Sequence, residues 1–167
     1  MENLVFSSRL AASHRGELES LLFFNAHQQV LSPHIVELVE KYGAPRVIEQ
    51  GGLLRLALGE SFDVQSLYAL AENGESSDLV GALMYTRSDP ETLLLLHIAV
   101  KEDYAAAGQR ARELLTLRLM AKLREIARQL KGVRSISVLY APGVTRGIPV
   151  RPARTIRARA AQLLPTP

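Results

Sequence analysis

Thr92-Leu93-Leu94-Leu95-Leu96-His97-Ile98-Ala99-Val100 is apolar on both faces apart from one histidine. A strand of that kind is covered on both sides and lies centrally in a sheet. Downstream, the stretch from Gly108 to Leu130 has no proline or glycine inside it. At ~100° per residue, Ala111, Leu115, Leu119, Met120, Leu123, Ile126, Ala127 and Leu130 fill one half of a helical wheel, and Arg118, Lys122, Arg124, Glu125 and Arg128 fill the other. Leu114 and Leu117 interrupt the polar half, so that face offers contacts to a partner. Gly132 ends the helix, and Ile136, Val138 and Tyr140 then alternate as in a strand. Residues 92–140 thus read as strand, loop, helix, strand. Such a crossover pairs its two strands in parallel and is right-handed. Ligands in sheets of this type gather beyond the carboxyl ends of the parallel strands, where a helix N-terminus offers amides. Here that place is the loop Lys101–Gln109.

Upstream, Leu4–Arg9 is strand-like. Ser13 can cap a helix running to about Gln29, with Glu17 and Glu19 near its start. Ser32-Pro33 is a second start signal, and Ile35, Val36, Leu38 and Val39 form an apolar stripe that stops at Gly43. Gly51-Gly52 is a breaker. Leu53–Leu58, Gln65–Glu72 and Leu79–Arg87 are rich in strand formers, and Asn73-Gly74 and Ser88-Asp89-Pro90 are turn chemistry, which predicts an antiparallel meander. The fold class is α/β (α+β): a mixed central β-sheet combining that meander with one parallel crossover.

The chain has 167 residues, 47% hydrophobic and 22% charged, which fits one globular domain and excludes a disordered or low-complexity polymer. It has no cysteine, so disulfides, thiolate metal sites and a cysteine nucleophile are excluded, and a reducing compartment is expected. The longest apolar run, Thr92–Val100, is roughly half of what a helix needs to cross a bilayer. Met1-Glu2-Asn3 lacks the order of a secretory signal. A cytoplasmic protein without a membrane partner is the expectation.

Charge divides the chain at residue 140. Five arginines (Arg146, Arg151, Arg154, Arg157, Arg159), five of the eight prolines and no acid lie from Ala141 onward, which leaves 15 basic and 17 acidic side chains in residues 1–140. The reading is a domain over 1–140 and a basic Pro/Arg-rich extension over 141–167. Such an arm can neutralise nucleic-acid phosphates. With no aromatic residue between the arginines to stack on bases, a solvated terminus is the preferred reading.

Leu96-His97-Ile98-Ala99-Val100-Lys101-Glu102-Asp103-Tyr104, followed by small residues, Gly108 and a long helix, resembles the central motif of the GNAT superfamily of acyl-CoA-dependent N-acyltransferases. Two N-terminal helices, a meander and a crossover match the family's order over residues 4–140. The resemblance implies acetyl-CoA or another acyl-CoA as cosubstrate. It implies that the strand edge at Ile98 and Val100 bonds the pantetheine arm, and that the amides of Ala107, Gly108, Gln109 and Arg110 hold the diphosphate. The family's loop pattern, R/Q-x-x-G-x-G/A, falls on Ala105-Ala106-Ala107-Gly108-Gln109-Arg110, where Gly108 alone agrees. Arg110 either crowds the phosphate or grips it. The family's usual asparagine and tyrosine-bearing helix after the fifth strand are replaced by Ala141-Pro142-Gly143-Val144-Thr145-Arg146-Gly147, and Tyr140 lies too early to supply that tyrosine.

His97 lies in the strand that bears catalytic bases in several members of the family, and an imidazole can accept a proton from an ammonium substrate. A hydrogen-bonded core histidine is the preferred reading. His14, His27 and His34 lack the i, i+4 spacing or acidic partners of a metal site, so no metal is expected. Ser61, in Gly59-Glu60-Ser61-Phe62-Asp63, lacks the closing glycine of a nucleophile elbow. The leading expectation is an N-acyltransferase acting on a small-molecule or peptide amine. The alternatives are a non-catalytic scaffold of the same fold serving partner or homodimer contacts, or a nucleic-acid accessory acting through the arginine-rich tail.

Overall fold

The computed structural model describes residues 3–24, 32–59, 64–74, 76–139 and 148–150, with backbone alone at 32–35. The elements run β1 (Asn3–Ser7), β2 (Leu10–Ala11), α1 (Arg15–Phe23), α2 (Ser32–Tyr42), β3 (Pro45–Gln50), β4 (Leu53–Leu58), β5 (Gln65–Asn73), β6 (Ser76–Asp89), β7 (Thr92–Val100), α3 (Leu115–Gln129), β8 (Ser135–Val138) and β9 (Ile148–Pro149). The main sheet has the order β1-β5-β6-β7-β8-β9 and a smaller one the order β2-β4-β3. All neighbours in the main sheet are antiparallel except β7 and β8, which run parallel from Thr92 opposite Ser135 to Leu95 opposite Val138. The mixed sheet and its single parallel crossover follow the pattern read around β7.

Both faces of the main sheet are covered. On one face Leu115, Leu119, Leu123 and Ala127 of α3 pack against Leu67, Ala69, Leu83, Leu93, Leu95 and Ile136. On the other, Leu18, Leu21 and Leu22 of α1, Leu38 of α2 and Leu54, Leu56 and Leu58 of β4 cover Tyr68, Leu79, Ala82, Met84, Leu96 and Ala99. The pairing has three irregularities, one of them at Ser88 near the end of β6, and the other two adjust which core residues face where. Ala69 pairs with Gly81 but Leu70 with Leu79, so Val80 is an extra residue in β6. Met84 pairs with His97 but Tyr85 with Leu95, so Leu96 is an extra residue in β7. Each bulge shifts the alternation by one and bends the strand.

Three expectations, on β4 and on the starts of the first and the long helix, are corrected. The stretch Leu53–Leu58 leaves the meander and pairs instead with β3, which was not anticipated. Gly51 and Gly52 both have positive φ, 59° and 76°, and form a two-residue hairpin turn that commits β4 to β3 rather than to β5. The first helix begins at Arg15 after a 3-10 turn over Ala12–His14, and no side chain caps it. The long helix begins at Leu115 instead of Gly108, because residues 101–113 fold into successive tight turns and Leu114 takes the left-handed conformation at φ 51°. Inside the 141–167 segment, Ile148 and Pro149 pair with Ile136 and Ser135 of β8, and Val150 is buried in the core. Among the described residues no helix is long and apolar enough to cross a membrane.

Leu119 is fully buried, and its methyl groups fill the space beside Gly81. Leu119→Ala is expected to cost about 2–5 kcal/mol, through lost burial and the cavity left between α3 and the sheet. Urea unfolding would show this as a lower midpoint at unchanged slope.

Candidate functional site

Past the carboxyl end of β7 the chain enters the loop Lys101–Gln109. Lys101 donates its amide to the Val80 carbonyl at 2.8 Å, so Ala99 and Lys101 turn their peptide groups toward β6. By alternation those of Ile98 and Val100 turn toward the β8 edge. Described pairing on that edge ends with Leu95 opposite Val138 and a bond from Leu139 N to the Leu95 carbonyl at 3.1 Å. The bulge at Leu96 directly follows the last described pair, Leu95 with Val138. Between α1 and the start of the following loop lies a cleft of about 460 Å³, walled by Glu17, Ser20, Leu21 and Phe24 of α1 and by Lys101 and Glu102.

The loop that follows turns its own amides inward. Gly108 N donates to the Ala105 carbonyl at 2.9 Å, Arg110 N to the Asp103 carbonyl at 2.6 Å, and Ala111 N to the Gly108 carbonyl at 3.1 Å. The amides of Ala107 and Gln109 have no such partner among the described residues. A Cβ on Gly108 would lie 2.2 Å from the Glu102 carbonyl oxygen and 2.3 Å from that of Asp103. The glycine is therefore required by the loop's contact with itself, and the atoms pressed against it are acceptors that repel an anion. Arg110 neither projects into solvent nor crowds the loop. Its Nη1 donates to the Tyr104 hydroxyl at 2.6 Å and its guanidinium lies 5.3 Å from the centre of that ring. Tyr104 is buried in the core below α3. Burial, with the charges of Glu113, Asp103 and Asp78, raises the affinity of its phenol for its proton.

His97 sits in β7 opposite Met84 and is only 5% exposed. Burial pushes its pKa down from 6.5 to about 4. At neutral pH it is an uncharged imidazole with weak appetite for a proton, and it is not part of the cleft wall.

A second group of polar side chains gathers around His14, read from the sequence as lacking an acidic partner but given one by the structure in Glu17. His14 Nδ1 lies 2.6 Å from Glu17 Oε2, and Ser77 Oγ lies 3.4 Å from His14 Nε2. The same Glu17 oxygen accepts from Leu79 N at 3.3 Å, and its other oxygen lies 3.4 Å from Lys101 Nζ. Burial alone would raise the Glu17 pKa. The bonds from His14 and Leu79 and the Lys101 charge outweigh it and hold the carboxyl below its usual range. The acid three residues after His14 was visible as a helix-turn spacing. The arrival of Ser77 from β6 was not, because it depends on how α1 crosses the sheet. Among the described residues no group of three or more acidic or histidine side chains could hold a metal ion. His27, Ser61, Tyr140 and the five tail arginines lie outside the described residues, as does the side chain of His34.

No family model matches this chain, and no curated protein or solved structure matches it significantly. The fold and the site stand on the geometry above.

Two substitutions test it. The unfolded chain protonates His97 below about pH 6.5, whereas the folded chain does so only near pH 4. Stability from this residue is therefore intact at neutral pH and falls by roughly 3 kcal/mol as pH drops through that window. His97→Gln should remove that part of the acid slope, read by urea unfolding at a series of pH values. Gly108→Ala forces the Glu102–Asp103 backbone away and is expected to cost about 1–3 kcal/mol, seen as a lower melting temperature with faster proteolysis in the 101–114 loop.

Proposed function

We propose that this chain is a GNAT-like N-acyltransferase that takes acetyl-CoA or another acyl-CoA along the outer edge of β7 and an amine in the neighbouring cleft. The observation that carries the reading is the single parallel crossover from β7 through α3 to β8, which places Ile98 and Val100 at the carboxyl end of the central parallel pair. An extended pantetheine arm is a strand-like ligand, and the peptide groups of Ile98 and Val100 face the edge on which it would lie. The strand order β1-β5-β6-β7-β8, with α1 and α2 on one face and α3 on the other, also supports the reading. In the proposed reaction the amine nitrogen attacks the thioester carbonyl carbon. The C–S bond breaks, the CoA thiolate leaves, and the ammonium proton passes to a base. The ionised Glu17 on the cleft wall attracts a cationic amine, an attraction that Lys101 tempers. The diphosphate contact is thinner than the resemblance implies, since the amides of Gly108 and Arg110 are spent within the loop and only those of Ala107 and Gln109 remain. A cysteine-free chain and an acyl-CoA cosubstrate both suit the cytoplasm.

A non-catalytic scaffold is the second reading. It is favoured by Leu114 and Leu117, which are 56% and 63% exposed at the start of α3 and offer apolar surface to a partner or second copy.

Ligand-dependent melting separates the two. Saturating acetyl-CoA should raise the melting temperature where free acetate does not, because a ligand that binds only the folded state stabilises it. Arg110→Ala, which removes the guanidinium held over the Tyr104 ring and loosens the loop, should reduce that shift. No shift with acetyl-CoA in the unsubstituted protein would reject the acyltransferase reading in favour of the scaffold.

A further inference from the structure

Ser77, His14 and Glu17 stand in an order that has chemical meaning. Glu17 is ionised and can only accept, so the 2.6 Å contact fixes the proton of a neutral His14 on Nδ1. Nε2 then carries the lone pair, and it is this atom that faces Ser77 Oγ at 3.4 Å. Glu17 is itself held from two further sides, by the Leu79 amide and by Lys101 Nζ. The imidazole is mostly buried, with 13% of its side chain exposed, whereas Ser77 at the start of β6 is half-buried and keeps access to solvent. A hydroxyl within reach of a base, and that base oriented by a third group, is the arrangement that activates a nucleophile. The His14–Glu17 contact is short, whereas the Ser77–His14 separation is at the long end, as it is in sites awaiting a substrate.

We propose that Ser77, His14 and Glu17 form a relay in which Ser77 Oγ is a nucleophile toward activated carboxylic esters. The relay shares Glu17 with the cleft wall, but the chemistry of Ser77 and His14 does not rest on the acyl-CoA reading. In the forward step Ser77 Oγ bonds to the ester carbonyl carbon while its proton passes to His14 Nε2. The C–O bond to the leaving group breaks, and the departing oxygen takes the proton back from His14. Water then attacks the acyl-serine with His14 again as base, releasing a carboxylic acid and restoring the hydroxyl. Glu17 acts through His14 and is a positioning residue. With deprotonation as the only help assigned to these residues, the relay suits aryl esters and fluorophosphonates, whose leaving groups depart readily, rather than peptide amides.

The test uses the full chain. A fluorophosphonate probe, followed by peptide mapping, should modify Ser77, and His14→Gln should slow that modification at least tenfold. Because the chain has no cysteine, Ser77→Cys introduces a single thiol whose iodoacetamide alkylation can be timed near neutral pH. A thiol beside the relay histidine is more ionised than a free one. Ser77→Cys should therefore react at least tenfold faster than Ser88→Cys, which lies on the same strand but is exposed and away from any histidine contact. This comparison keeps His14 in place and so does not depend on a substituted base still folding. Absence of probe at Ser77 together with equal alkylation of the two thiols would overturn the proposal. So would an unchanged labelling rate in a folded His14→Gln variant.

Discussion

Burial of β6 and β7 on both faces is the constraint from which the other elements take their places. A strand such as Leu93 to Ala99 cannot leave either face in water without exposing a row of leucines. Each face must therefore be roofed, by α3 on one side and by α1, α2 and the small sheet on the other. The amphipathic stripe on α3 supplies Leu115, Leu119, Leu123 and Ala127 at helical spacing for the first roof. The second is assembled from shorter pieces, and the residues lining it come from well-separated parts of the chain. Val80 and Leu96, extra residues inside the buried part of the central strands, let both strands serve both roofs while changing which side chains look which way.

The same bulges shape the chemistry. At Leu96 the strand shifts its alternation, and the residues beyond it present peptide groups to the edge where described pairing with β8 has ended. Past Val100 the backbone winds on itself in short turns, pinned by Tyr104 in the core and by Arg110 folded over that ring. The loop is therefore a structure with its own internal bonds. Charge is handled next door, where Lys101, Glu17 and His14 form a continuous line from the cleft to Ser77.

Much of the architecture was legible because it rests on local pattern. The apolar run at 92–100, the wheel of α3 and the turns at Asn73-Gly74 and Ser88-Asp89-Pro90 each carry their own signal, and Asp89 indeed closes its turn by accepting from Glu91 N at 2.8 Å. What was not legible depends on competition between distant partners. The tract Leu53–Leu58 has the composition of any meander strand, and only the double-glycine turn decides that it pairs backward. Gly108 reads as a phosphate-loop glycine by position, yet its neighbours in space are the carbonyls of Glu102 and Asp103. Ser77 and His14 are 63 residues apart, and no spacing rule joins them.

The outermost strand of the main sheet carries a further implication. β9 is two residues long, and one of them, Pro149, has no N–H to offer. At that position the described edge offers a neighbouring chain no backbone donor to copy, and proline there works against the edge-to-edge stacking that leucine-rich sheets invite.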